Sequence, residues 1–330
     1  MDLQTADADE ILDGGVGKRL GIVDVPSETG GPASRIPLAV VTGERPGPTA
    51  WVNASLHGDE YLGPATIVAL LRSLEPGAVR GRLVLSPTLN PGALRAMQRE
   101  DPAAPADLNR VWSPEPARTP IAPVVSWALG ELLARSDLVI DLHSGGNRFL
   151  QAPFSVYART GGAVETESAA LAKACGLPRI WAHRGSILDA ALITAAARRG
   201  KPAALLEMGG EGKSEPAWIE EMDAALRGAL AHAQILAGRP RFLESYRVFH
   251  DLTVVRNREE GLWVRAAEPE ADVPAGSVLG HVLDLLGREV EVVSSPVDAT
   301  VVGICTYGFV PPGDYVAELA HTFHEEGPPG

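Results

Sequence analysis

Cysteine is nearly missing from this chain of 330 residues: Cys175 and Cys305 are its only thiols, and they form no CxxC pair. That removes a thiolate zinc site and a disulfide framework together. Long apolar runs are missing too, since none approaches the roughly 18 to 20 residues of a spanning helix. The opening Met1-Asp2-Leu3-Gln4 has neither the basic nor the apolar region of a secretory signal, so cytoplasmic residence is expected, with no membrane partner. Positive charge is in deficit, with 29 Lys and Arg against 42 Asp and Glu for a formal net charge of −13. No basic patch offsets that balance, which argues against nucleic acid as a partner, because a negative surface repels phosphates. No GxSxG elbow occurs, which disfavours a serine hydrolase, and Gly15-Val16-Gly17 lacks the preceding strand of a dinucleotide-binding fingerprint.

What is present is an ordinary globular composition, 45% hydrophobic and 22% charged, in a length that suits one large domain or two unequal ones. Residues 1–20 are Asp- and Gly-rich and read as a loosely held arm. From 21 to 245, buried-type apolar runs alternate with helical patterns. The strand candidates are residues 36–42, 50–56, 82–88, 137–142 and 202–208; the helix candidates are 64–74, 124–134, 164–174, 188–198 and 218–236. Such alternation predicts an α/β layer structure around a mostly parallel sheet, with ligand chemistry at the strand ends. Residues 246–330 change texture to short strand patterns separated by Gly, Pro and Asp turns, which predicts a small all-β domain with a frayed tail from His321 onward.

Two motifs follow strand candidates and carry metal-ligand residue types. His57-Gly58-Asp59-Glu60 places an imidazole and a carboxylate three apart, and Asp141-Leu142-His143-Ser144 ends a buried strand with a second imidazole. His57, Glu60 and His143 would make a His₂Glu site, the donor set of open catalytic zinc centres, whose metal acidifies water and polarises a carbonyl. Asp141, two before His143 on a strand, shares its face and suits an outer partner for that imidazole. Glu207, in Leu206-Glu207-Met208-Gly209-Gly210, ends another apolar strand and is the candidate base for the water of a hydrolysis. The same stretch, Glu207 to Ser214, nearly spells the phosphate loop GxxxxGK[ST], but Glu207 stands in place of its first glycine, where it would repel phosphates. Asn109-Arg110 suits anchoring of a substrate carboxylate, since a guanidinium forks onto it in two hydrogen bonds. His183-Arg184 reads as a surface pair.

In order, HGDE, NPGA, Arg99 ahead of Asp107-Leu108-Asn109-Arg110, DLHSGG and EMGG run over about residues 50 to 210. This series resembles the succinylglutamate desuccinylase/aspartoacylase family, relatives of the zinc carboxypeptidases, and its wording is most similar to the branch of N-acetyl-diaminobutyrate deacetylases. The resemblance implies a zinc-carboxypeptidase-like fold with a mixed, mostly parallel sheet, and one Zn²⁺ per chain on His57, Glu60 and His143. It further implies Glu207 as general base and acid, Arg99 polarising the scissile carbonyl, and Asn109 with Arg110 holding a small N-acyl amino acid. The segment between Arg99 and Asp107 is long, which leaves Arg95 as the substitute for Arg99. The β-rich end resembles barrel-sandwich carrier modules, yet the lysines (Lys18, Lys173, Lys201, Lys213) all precede it, so carrier function is excluded and a wall, a lid or a homo-oligomer contact is left. Two further functions stay open, a zinc carboxypeptidase acting on peptides or muropeptides and a non-catalytic metabolite-binding protein.

Overall fold

Buried strands need both faces covered, and here they are. The structure, a computed structural model, describes residues 5–27, 33–113 and 119–329. In chain order its elements are α1 (Ala8–Leu12), β1 (Gly17–Val25), β2 (Ser34–Thr42), β3 (Arg45–Ala54), α2 (Leu62–Ser73), β4 (Arg80–Ser86), α3 (Pro91–Ala96), α4 (Ala122–Trp127, continued by a π-helical stretch Ala128–Leu133), β5 (Leu138–His143), β6 (Phe149–Ala158), α5 (Gly162–Ala174), β7 (Arg179–His183), α6 (Leu192–Arg198), β8 (Ala203–Gly210) and α7 (Pro216–His232). The β-rich end adds β9 (Tyr246–Arg256), β10 (Gly261–Arg265), β11 (Asp272–Val273), β12 (Val278–Leu283), β13 (Glu289–Ser294), β14 (Ala299–Cys305), β15 (Phe309–Val310) and β16 (Tyr315–Glu326).

One mixed sheet runs in the order β1-β2-β4-β3-β5-β8-β6-β7-β9-β16-β14-β11. Its centre, β4-β3-β5-β8, is parallel. The margins, β1-β2-β4 and β9-β16-β14, are antiparallel. Every residue of β5 is buried, as expected of a parallel strand covered on both faces. Leu62, Ile67 and Leu70 of α2, Leu171 of α5 and Leu226 of α7 cover one face. Ile11 and Leu12 of α1, Val124 and Val125 of α4, and Leu192 and Ile193 of α6 pack on the other. Each such side chain contributes about 1.5–3 kcal/mol by leaving water.

The sheet does not stop near residue 245. β9 pairs with β7, and β14 pairs back onto β6, so β6, β7, β9, β16 and β14 close on themselves. A second sheet, β13-β12-β10-β15, packs over this ring through Trp263, Leu279 and Val282.

Four expectations need correction. The sheet is mixed but not mostly parallel, because the returning β-rich strands and β6 add antiparallel pairings that outnumber the parallel ones. The amino-terminal stretch is not loosely held over its described part, because α1 buries Ile11 and Leu12 and β1 pairs with β2 along its whole length; residues 1–4 lie outside the described residues. The tail from His321 continues β16 as far as Glu326, with Phe323 opposite Phe249 on β9. His183 is buried at the end of β7, where its Nε2 meets Thr194 Oγ1 at 3.0 Å; Arg184 alone of that pair is exposed.

Candidate metal centre and its cavity

The parallel register decides where the ligands arrive. Ala54 of β3 lies beside Leu142 of β5, and His143 of β5 beside Glu207 of β8, so β3 and β5 end at one level with Glu207 next to them, while β8 runs on to Gly210. After β3 the chain must turn sharply to bring His57 over that edge. Ser55 adopts φ 48° to do so, a left-handed conformation costly for a residue with a Cβ. Thr88 and Asn90 hold the turn, donating to the carbonyls of Ser55 (3.1 Å) and Leu56 (3.0 Å). Gly58 is required by contact: a Cβ there would stand 2.0 Å from the Ala93 carbonyl carbon of α3. The NPGA segment therefore acts as a brace for the HGDE loop.

His57, Glu60 and His143 are buried, and their ligand atoms lie within 4.8 Å of one another, a group that could hold a metal ion. Both imidazoles turn Nδ1 toward Glu60, at 2.5 Å from Oε1 for His57 and 2.8 Å from Oε2 for His143. Each far nitrogen rests on an aspartate: His57 Nε2 on Asp107 Oδ1 at 3.0 Å, His143 Nε2 on Asp141 Oδ2 at 2.9 Å. Asn53 donates to the other oxygen of Asp141 at 2.8 Å. With Nε2–H given to an aspartate, the Nδ1 lone pair is left facing the centre, the arrangement a metal-binding imidazole needs. Burial opposes charge on Glu60, but the two imidazoles outweigh it and hold the carboxyl below its ordinary range. Burial likewise disfavours imidazolium at His143, yet Asp141 and Glu60 raise its proton affinity. Such concentrated negative charge around two imidazoles suits a cation at their common point.

Glu207 sits differently. Burial first, and the charge of Glu60 second, push its carboxyl well above the ordinary range. Its Oε1 is buried and has no hydrogen-bond partner among the described residues. Arg99 donates through Nε and Nη2 to Asp107 Oδ2, at 3.2 and 2.8 Å, and its Nη1 reaches 3.8 Å from Glu60 Oε1. Arg95 lines a separate cavity with Asp101, so the structure brings Arg99 to the site and leaves its substitute outside. Asn109 is buried; its Oδ1 accepts from Leu192 N at 3.0 Å, which turns Nδ2 toward His143. Arg110 donates to the Asn109 carbonyl at 3.0 Å and lines the cavity. Lys213, the lysine of the near phosphate loop, is exposed and donates to Glu211 at 3.1 Å, away from Glu207.

These groups share a cavity of about 160 Å³. Its opposite wall comes from the β-rich end: Leu252 and Val254 of β9, with Tyr315 and Glu318 of β16. Sequence reasoning missed Asp107 as the partner of His57, although it stands in the same motif as Asn109 and Arg110. It also missed Gln151 and Glu318, which no local motif marks.

The model of the succinylglutamate desuccinylase/aspartoacylase catalytic domain matches residues 46–233. N-alpha-acetyl-L-2,4-diaminobutyric acid deacetylase of Halomonas elongata is 30% identical over 262 residues, 77% of this chain and 75% of that protein. The product-bound structure of the ectoine utilization protein EutE (DoeB) from Ruegeria pomeroyi is similar at TM-score 0.83 and 29% identity, covering 94% of this chain and 97% of that one. A succinylglutamate desuccinylase/aspartoacylase from Rhodobacter sphaeroides shares the fold at TM-score 0.81 and 24% identity, over 94% and 96% of the two chains. On the matched domain and the shared fold together, the chain belongs to the succinylglutamate desuccinylase/aspartoacylase family.

Proposed function

We propose that this chain is a zinc-dependent amidohydrolase that removes the acyl group from a small N-acyl amino acid, an N-acetylated diamino acid being the favoured substrate. The observation that carries this reading is the convergence of His57, Glu60 and His143 with Glu207, whose Oε1 has no partner among the described residues, on one side of the sheet's parallel centre inside one small cavity. Two nitrogens and one carboxylate, each imidazole backed by an aspartate, fit one Zn²⁺ per chain. Bound there, zinc would supply Lewis acidity toward a carbonyl and lower the pKa of water.

The remaining work falls to side chains. Glu207 takes a proton from the attacking water as the new C–O bond forms at the acyl carbon. It then delivers that proton to the amide nitrogen as the C–N bond breaks, releasing a carboxylic acid and a free amine. Its dry surroundings raise the proton affinity of its carboxylate, which strengthens it as acceptor of the water's proton. Arg99, oriented by Asp107, offers positive charge to the carbonyl oxygen, and Arg110 with Asn109 holds the substrate carboxylate. The preference for a diamino acid rests on the Halomonas deacetylase as a relative.

The test is a side-by-side kcat/KM comparison on zinc-loaded protein of Nα-acetyl-2,4-diaminobutyrate, N-acetylaspartate, N-succinylglutamate and a dipeptide. The reading expects the first to lead. A tenfold or greater preference for the dipeptide would overturn the deacylase reading in favour of a peptidase.

A further inference from the structure

We propose that Glu318, presented by Gln151, recognises a cationic amino group on the amino-acid part of the substrate, and so selects diamino acids over neutral ones. The proposal rests on the N-acyl amino acid reading above. Its basis is a local feature of the closed ring of strands. Gly303 of β14 pairs with Gln151 of β6 on one side and with Glu318 of β16 on the other, at a register shift in β14. A Cβ at 303 would lie 2.3 Å from Gln151 Oε1. Because residue 303 has no side chain, Gln151 reaches across it and donates from Nε2 to Glu318 Oε2 at 2.9 Å.

Glu318 is thus held by one oxygen, with its carboxylate in the cavity wall. Among the described residues no Lys, Arg or His comes within 4 Å of it, and the nearest cations of the cavity, Arg99 and Arg110, act on it only from farther away. Most other charges of the cavity are committed, and Glu207 stands beside the candidate metal ligands on the far strands β5 and β8. Arg99 is tied to Asp107, Glu60 to the two imidazoles, and Asp59 accepts from Asn147 N at 3.2 Å. Away from the candidate metal ligands and Glu207, Arg110 and Glu318 are a cation and an anion facing the same space. A ligand bearing both a carboxylate and an ammonium group satisfies both, whereas a dicarboxylate places a like charge against Glu318. Gln151 Oε1, buried and without a partner among the described residues, adds an acceptor beside the carboxylate.

The experiment compares zinc-loaded wild type with Glu318→Gln, which keeps an acceptor for Gln151. The substrates are Nα-acetyl-2,4-diaminobutyrate and Nα-acetylnorvaline, whose methyl replaces the ammonium. The variant should lose roughly 30-fold or more in kcat/KM on the first and change less than about threefold on the second, as removal of one charged hydrogen bond predicts. Equal losses on both substrates, or no loss on either, would overturn the proposal and leave the deacylase reading standing. If wild type hydrolyses neither compound, the deacylase reading fails, and calorimetric binding of 2,4-diaminobutyrate and norvaline decides the matter. Binding of the diamino acid alone, lost in Glu318→Gln, supports the proposal; binding independent of Glu318, or none, overturns it.

Discussion

The floor and the wall of the cavity are built on opposite principles. The floor, His57, Glu60, His143 and Glu207, gathers on parallel strands β5 and β8, where register sets His143 beside Glu207, and on the braced turn that follows β3. Its three candidate ligands are tied to one another and to their supports: the imidazoles to Glu60 and to aspartates, Asp141 to Asn53; Glu207 alone stands outside this network. The wall, Leu252, Val254, Tyr315 and Glu318, comes from antiparallel strands and contributes one carboxylate held by one hydrogen bond. A network in which every group depends on its neighbours tolerates little change, while a wall contact can be altered one residue at a time. On this view the floor carries the chemistry and the wall the choice of substrate.

The comparison breaks most visibly at the floor. His143→Ala should abolish both zinc binding and turnover, checked by metal analysis and acetate release; full zinc content in that variant would remove His143 from the ligand set. Glu207→Gln separates chemistry from metal. It should keep zinc and lose about 10² to 10⁴-fold in kcat, the usual cost of deleting a general base, and near-normal turnover would reassign that role. One layer further out, Asp107→Ala should weaken zinc affinity by about 10- to 100-fold, as losses of a ligand's hydrogen-bond partner do. A competition titration with a chelator reads this, and an unchanged affinity would leave Asp107 as an anchor for Arg99 alone.

The smallest effect lies off the site. Burial pushes the pKa of His183 down to about 4, against about 6.5 in an unfolded chain. Between those values the unfolded state binds a proton that the folded state does not, so stability falls as pH falls through this window. The slope from this one group approaches about 1.4 kcal/mol per pH unit. His183→Gln should flatten the acid limb of a denaturant-melt series between pH 6 and 4; an unaltered slope would exclude His183 as its source.

The contrast between floor and wall also separates what could be read in advance from what could not. Floor residues fall in short contiguous motifs at the ends of apolar runs, so strand periodicity and ligand chemistry pointed to the same positions. Gln151, Gly303 and Glu318 are distant in sequence and meet because β14 returns to pair with β6, a closure that no local pattern encodes. β6 itself was hidden by Pro153, which lies within a register shift between Gln151 and Phe154 where no regular ladder bond is needed. β1 was hidden by its place at the sheet edge, where Lys18, Arg19 and Asp24 break the apolar pattern. The polar end of β16 looked frayed for a related reason: its order comes from pairing with β9, not from its own composition.

The most direct test of the central claim is anomalous diffraction at the zinc edge from crystals of the zinc-loaded protein. The account predicts one strong peak per chain, bounded by Nδ1 of His57, Nδ1 of His143 and the Glu60 carboxylate. A peak at other residues, or none at these three, would contradict it.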